Sequence, residues 1–171
     1  MTDFVIGKAT KEIRKQMKSN SVLHDLELVN LRSRFKTLPK VERYYTENLI
    51  QSGVELEEMD QLKPLRAFHF DAVLKVKGAN RSFLLPLEYE RSIKFSSRYV
   101  AYFKKVYANP QVEAVLFLAC TVKLSERVKA IERSVIGERW PKVFHSVLKD
   151  SDSNQDLNSF TNLLGEKILL E

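Results

Sequence analysis

The sequence predicts an α/β fold in which helices pack on a central mixed β-sheet, and three observations carry that prediction. Residues 67–76 (AFHFDAVLKV) and 81–89 (RSFLLPLEY) are rich in β-branched and aromatic residues. Lys77-Gly78-Ala79-Asn80 between them is a turn signal, so residues 67–90 read as an antiparallel hairpin. Residues 112–122 (VEAVLFLACTV) are almost wholly apolar, as expected of a strand buried on both faces. Helically spaced apolar residues stand before and after that strand, which gives the order helix, hairpin, helix, buried strand, helix.

Residues 8–20 place Ala9, Ile13 and Met17 four apart, which predicts a basic amphipathic helix with one narrow apolar stripe. Ser21 is placed to cap a second helix over 22–35, with Val22, Leu23, Leu26 and Val29 at helical spacing and Leu28 and Leu31 less regular. Pro39 ends it, because proline lacks an amide hydrogen and restricts the residue before it. Residues 41–50 fit strand or helix, and Tyr44 and Tyr45 favour strand at the start. The acidic stretch to Lys63 reads as a loop or short helix. Residues 92–107 set Ile93, Tyr99, Tyr102, Phe103 and Val106 at helical spacing, and Asn109-Pro110 stops them. Ser125 is a possible cap for a helix over 125–135 whose Val128, Ile131 and Val135 face inward, and residues 140–148 supply one more strand. The 171 residues fit one domain. It reads as a basic extension over 1–23, an α/β domain over 24–149, and an acidic loop with a short C-terminal helix over 150–171.

Composition excludes several classes. With 44% hydrophobic residues, five Gly and five Pro, the chain can bury a core, so disorder and collagen-like repeats are ruled out. The single cysteine, Cys120, forms neither an intramolecular disulfide nor a thiolate zinc site, and its apolar setting predicts a buried, inert thiol. No signal-peptide pattern and no run of about eighteen apolar residues is present, which predicts a soluble, cytoplasmic protein without a membrane partner. The absence of a Gly-rich phosphate loop argues against an NTPase.

The net charge of +6 is unevenly distributed. Residues 91–105 hold five bases (Arg91, Lys94, Arg98, Lys104, Lys105) and no acid, whereas residues 44–62 hold five acids and no base. Basic blocks brought together by folding make a phosphate-binding surface; left apart, they are solvated helix faces.

Acidic residues in the strands carry the chemistry. Asp71 interrupts the first hairpin strand, and Glu88 and Glu90 end the second on one face, because side chains alternate along a strand. A hairpin can bring Asp71 alongside that pair. Three neighbouring carboxylates repel unless a cation holds them, and hard oxygen ligands suit Mg²⁺ or Mn²⁺. Such an ion activates water for attack on a phosphodiester. The other reading is a wet sheet face whose acids pair with Arg91 or Lys94.

From His24 to about Ile131 the chain resembles the replication-relaxation family of plasmid mobilisation and replication proteins, which includes the relaxases of the MobC class. The matching pieces are His24-Asp25-Leu26-Glu27-Leu28-Val29-Asn30-Leu31, Arg43-Tyr44-Tyr45-Thr46-Glu47, Phe70-Asp71-Ala72-Val73, Leu87-Glu88-Tyr89-Glu90 and Arg98-Tyr99-Val100-Ala101-Tyr102. The resemblance implies a three-layer sandwich of restriction-endonuclease, PD-(D/E)XK, type. It implies Asp71 and Glu88 as metal ligands, Glu90 as a third acid, and Glu47 as the acid from the preceding element. The proline before the aspartate is Phe70 here, and Glu90 stands where the general nuclease motif has lysine. A charge-stabilising lysine then comes from the following segment, with Lys94, Lys104 and Lys105 as candidates. The winged-helix domain that family members carry ahead of this region is not expected in the 23 residues before His24.

Other residues receive plainer readings. His24 is expected at a helix start, bonded to backbone, and His69 on the same strand face as Asp71, where it either lines the site or simply packs against its neighbour. Tyr99, Tyr102 and Tyr107 pack the helix or touch phosphate, since the histidine cluster of tyrosine relaxases is missing. Trp140 is expected in the core or as a loop anchor. Three functions follow as expectations. The first is a metal-dependent DNA nickase holding the backbone with Arg91, Lys94, Arg98, Lys104 and Lys105. The second is an inactive DNA-binding or relaxosome accessory protein, working with other plasmid-transfer or replication proteins. The third is a protein-interaction domain using the acidic 55–60 segment.

Overall fold

In a computed structural model the described residues are 22–52, 58–148 and 155–171. The helix expected over 8–20 and its neighbour Ser21 lie outside them. The chain runs α1 (Val22–Phe35), β1 (Val41–Thr46), α2 (Glu47–Gln51), α3 (Met59–Leu62), a 3₁₀ turn (Lys63–Phe68), β2 (Ala72–Lys77) and β3 (Ser82–Glu90). It continues through α4 (Ser96–Ala108), β4 (Val115–Ala119), α5 (Val122–Ile136), β5 (Val143–Val147), α6 (Gln155–Asn158), β6 (Ser159–Thr161) and β7 (Lys167–Leu169).

The seven strands form one mixed sheet in sequence order. β1–β2 and β2–β3 are antiparallel, β3–β4 and β4–β5 are parallel, and β5–β6 and β6–β7 are antiparallel. Parallel neighbours need a crossover, and α4 and α5 supply the two crossovers. Both helices lie on one face, where Tyr99, Phe103, Val106, Leu124 and Val128 pack against Val73, Val115, Phe117 and Ala119. On the other face Leu31 and Phe35 of α1 pack with Leu74, Leu87, Tyr89, Leu116 and Leu118. β4 is buried along its whole length because it has neighbours on both sides and cover on both faces.

Several elements depart from the sequence reading. β2 starts at Ala72 rather than 67, because Pro64 opens a 3₁₀ turn that runs to Phe68 and ends at His69 with a left-handed φ of 54°. His69 is therefore not on a strand face beside Asp71. α4 starts at Ser96, leaving Ile93 exposed in the loop before it. Thr121, not Ser125, caps α5: its side chain accepts the Leu124 amide at 3.2 Å, and Ser125 is buried within the helix. On α1 the residues Val22, Leu23, Leu26 and Val29 are exposed, and Leu31 and Phe35 are buried instead. This helix has apolar residues on two sides, and polar partners on the sheet decide which side docks. Trp140 is exposed rather than in the core. Beyond α6 the C-terminal segment adds the β6–β7 hairpin, which the sequence reading missed. Asn162 Oδ1 accepts the amides of Leu164 and Glu166, both at 3.0 Å, and so builds its turn.

Phe103 is fully buried between α4 and the sheet. Phe103→Ala is expected to lower stability by about 3–5 kcal/mol, read from urea unfolding.

Candidate functional site

The hairpin register pairs Ala72 with Leu87, and one further step sets Asp71 opposite Glu88. Asp71 Oδ2 accepts the Tyr89 backbone N–H at 2.7 Å, which fixes the carboxylate at the end of the β2–β3 ladder. Its Oδ1 lies 3.2 Å from His24 Nε2. That hydrogen bond raises the His24 pKa from its ordinary value, with burial opposing the shift. The His24 ring also stacks on Tyr89, with centroids 5.6 Å apart and planes 14° from parallel. One turn along α1, Glu27 accepts the Tyr89 hydroxyl at 3.0 Å and meets Arg91 Nε at 3.1 Å. These polar ties dock the start of α1 at the carboxyl end of β3, where ligand sites of α/β sheets are commonly found.

Glu88 and Glu90 project to the face covered by α4. Glu90 is buried, accepts the Ser92 amide at 3.4 Å and forms an ion pair with Lys94 Nζ at 2.7 Å. Glu88 is half-buried, and among the described residues no hydrogen bond or ion pair engages its carboxylate. Burial first, then the charge of Asp71, pushes its pKa well above the usual carboxylate range; Lys94 and Arg98 pull it back in part. Tyr102 extends the same neighbourhood. Its hydroxyl is buried without a hydrogen-bond partner among the described residues, and burial, followed by Glu88 and Asp71, holds the phenol well above its normal pKa.

The structure brings Asp71, Glu88, Glu90 and Lys94 together. It does not bring the Glu47 carboxylate to them. The Glu47 backbone N–H donates to the Asp71 carbonyl at 3.2 Å, yet its side chain turns to His69 Nδ1 at 2.9 Å. Among the five basic residues of 91–105, Arg91 is paired with Glu27 and Lys94 with Glu90. Lys105 donates to the Ala67 carbonyl and sits over the Phe68 ring. Arg98 and Lys104 are exposed and have no acidic partner among the described residues. Cys120 is half-buried, its thiol donates to the Arg91 carbonyl at 2.8 Å, and burial raises its pKa. Sequence reasoning missed two residues. His24 contacts a side chain 47 residues away rather than its own helix backbone, which no local pattern signals. Phe95, in the loop beside Lys94, is 88% exposed and was not singled out.

Among the described residues no group of three His, Cys, Asp or Glu side chains is arranged to hold a metal ion. Asp71 and Glu88 supply the kind of hard oxygen that a divalent cation takes, and the Glu88 carboxylate has no hydrogen-bond or ion-pair partner among the described residues. Also among the described residues, no helix is long and apolar enough to cross a membrane. The chain matches no protein-family model, no curated protein and no solved structure.

Two titrations test this geometry. The His24 pKa is raised by folding, so its share of stability is complete below the unfolded value of about 6.5 and is lost as pH rises through the folded value. Asp71→Asn is expected to lower the His24 pKa in an NMR titration and to remove that pH dependence. For Glu88 the folded chain keeps a proton that the unfolded chain has released, so stability falls as pH rises from the usual carboxylate range to the raised value. Glu88→Gln is expected to raise the urea midpoint at neutral pH in metal-free protein and to leave it unchanged at acid pH.

Proposed function

We propose that the chain is a DNA-processing protein that cleaves phosphodiester bonds with Mg²⁺ or Mn²⁺, built as a three-layer sandwich of restriction-endonuclease type. The observation that carries this reading is the Glu88 carboxylate, unpartnered and opposite Asp71, where its own charge is disfavoured. The order α1–β1–β2–β3–α4–β4, with cover on both sheet faces, is consistent with that fold class. The resemblance to replication-relaxation proteins supports plasmid mobilisation or replication as the setting, with other proteins of those processes as partners.

In this reading Asp71 and Glu88 hold the cation, and His24, hydrogen-bonded to Asp71, orients that carboxylate rather than ligating the ion. When bound, the ion supplies polarisation of the phosphodiester and a more acidic water. Glu90 does not serve as a ligand here. Its ion pair holds Lys94, whose ammonium lies within electrostatic reach of Glu88 and takes the place of the nuclease lysine, stabilising charge on the phosphate. Arg98 and Lys104 hold the DNA backbone, and the exposed Phe95 ring stacks on a base at the entrance.

One observation favours a second reading, a DNA-binding accessory without cleavage: both Asp71 oxygens are already engaged. Supercoiled plasmid incubated with the protein and Mg²⁺ or Mn²⁺ separates the two. Nicking is expected, and Asp71→Ala and Glu88→Ala are each expected to lose it by at least about a hundredfold. Intact plasmid with salt-sensitive binding supports the accessory, and no binding even at low salt defeats both.

A further inference from the structure

A separate apolar cleft of about 750 Å³ lies at the other end of the sheet. Its floor is the face opposite α4 and α5, where Val76, Phe83, Leu85, Phe144 and Ile168 turn their side chains. Its far wall is the C-terminal hairpin, which curls back until the Leu170 carbonyl accepts the Lys40 backbone N–H at 3.3 Å and the Leu169 carbonyl accepts Lys40 Nζ at the same distance. Phe83 is five residues before Glu88 on β3 and points to the opposite face, so this cleft lies about 17 Å along the strand from the carboxylates. Gly78 helps shape it: a Cβ there would collide with the Phe83 ring and stand 2.7 Å from the Arg81 carbonyl oxygen.

We infer that this cleft binds an amphipathic carboxylic acid, with its hydrocarbon chain on the apolar floor and its head group at Lys40 and Lys77. The floor offers almost nothing to hydrogen-bond, which suits an alkyl chain and disfavours sugars or nucleotides. The mouth is cationic. Among the described residues neither Lys77 nor Lys40 has an acidic partner, and Lys40, bonded to a carbonyl, keeps further N–H donors available. Glu113, the one acid among the lining residues, is paired with Arg81 at 3.2 Å, and Glu166 beside the cleft is taken up by Trp140 Nε1 at 3.1 Å and Asn162 Nδ2 at 2.7 Å. Arg81 in turn lies 4.6 Å from the Phe83 ring centroid, so that pair also braces the wall.

The chain has a single tryptophan, Trp140, and it lines the cleft, so its emission reports occupancy directly. The full chain is titrated with dodecanoate, dodecanol and dodecyltrimethylammonium, each below its micelle-forming concentration. Dodecanoate is expected to shift Trp140 emission saturably and to bind at least about tenfold more tightly than the cationic analogue. Lys77→Glu, at an exposed position, is expected to weaken dodecanoate about fivefold and to leave dodecanol unchanged. Ala114→Phe, which fills the cleft, is expected to abolish the response to dodecanoate and dodecanol alike. No emission change with dodecanoate overturns the inference, as does equal affinity for the acid and the cation, or a Lys77→Glu variant that binds dodecanoate as the parent does.

Discussion

Asp71 is the carboxylate on which the geometry of the carboxyl end of β3 depends. It accepts the Tyr89 amide and faces His24, so a single side chain closes the β2–β3 ladder and draws the start of α1 across the strand end. Hydrogen bonds to ionised acceptors are roughly twice as strong as neutral ones, and this one is placed where the ladder would otherwise fray. With Asp71 fixed, the register sets Glu88 opposite it, and the position of the acid pair follows from the hairpin.

Elsewhere the fold buries acids together with their partners. Glu58 receives Tyr45 Oη at 2.5 Å and Lys75 Nζ at 2.7 Å. Glu132 meets His145 Nε2 at 2.6 Å and accepts the Tyr107 hydroxyl. Glu90, two residues from Glu88, is held by Lys94. Removing a charge from water costs several kcal/mol unless an opposite charge or hydrogen bond compensates, and these three are compensated. Glu88 is not, although Lys94 and Arg98 stand near enough to influence it. The neighbouring buried acids are satisfied while this half-buried one is held above its ordinary pKa, a pattern that functional sites often share.

Much of the scaffold was legible because hydrophobic period and turn chemistry act locally. The hairpin was marked by its β-rich runs and the turn around Gly78, and the wholly apolar 115–119 run identified the central strand. The acids were legible for the same reason: alternation placed Glu88 and Glu90 on one face, and the hairpin placed Asp71 near them. What failed depended on long-range partners. The outward face of α1 is as apolar as a core face, and its true orientation is set by Glu27 and His24 meeting Tyr89, Arg91 and Asp71. The Glu47 carboxylate lies away from the other acids because His69, at the left-handed end of the 3₁₀ turn before β2, holds it at 2.9 Å, a contact no local pattern signals. The β6–β7 hairpin escaped notice because its strands have three residues each and its turn depends on the hydrogen bonds of Asn162.

The central claim is that the Asp71–Glu88 pair attracts a divalent cation, and paramagnetic broadening by Mn²⁺ tests it most directly. Substoichiometric Mn²⁺ added to isotope-labelled protein is predicted to broaden the amide signals of Asp71, Glu88 and Tyr89 and the His24 ring first, with Mg²⁺ reversing the effect by competition. Uniform broadening, or broadening centred on the acidic 55–60 segment with these residues untouched, would contradict the account.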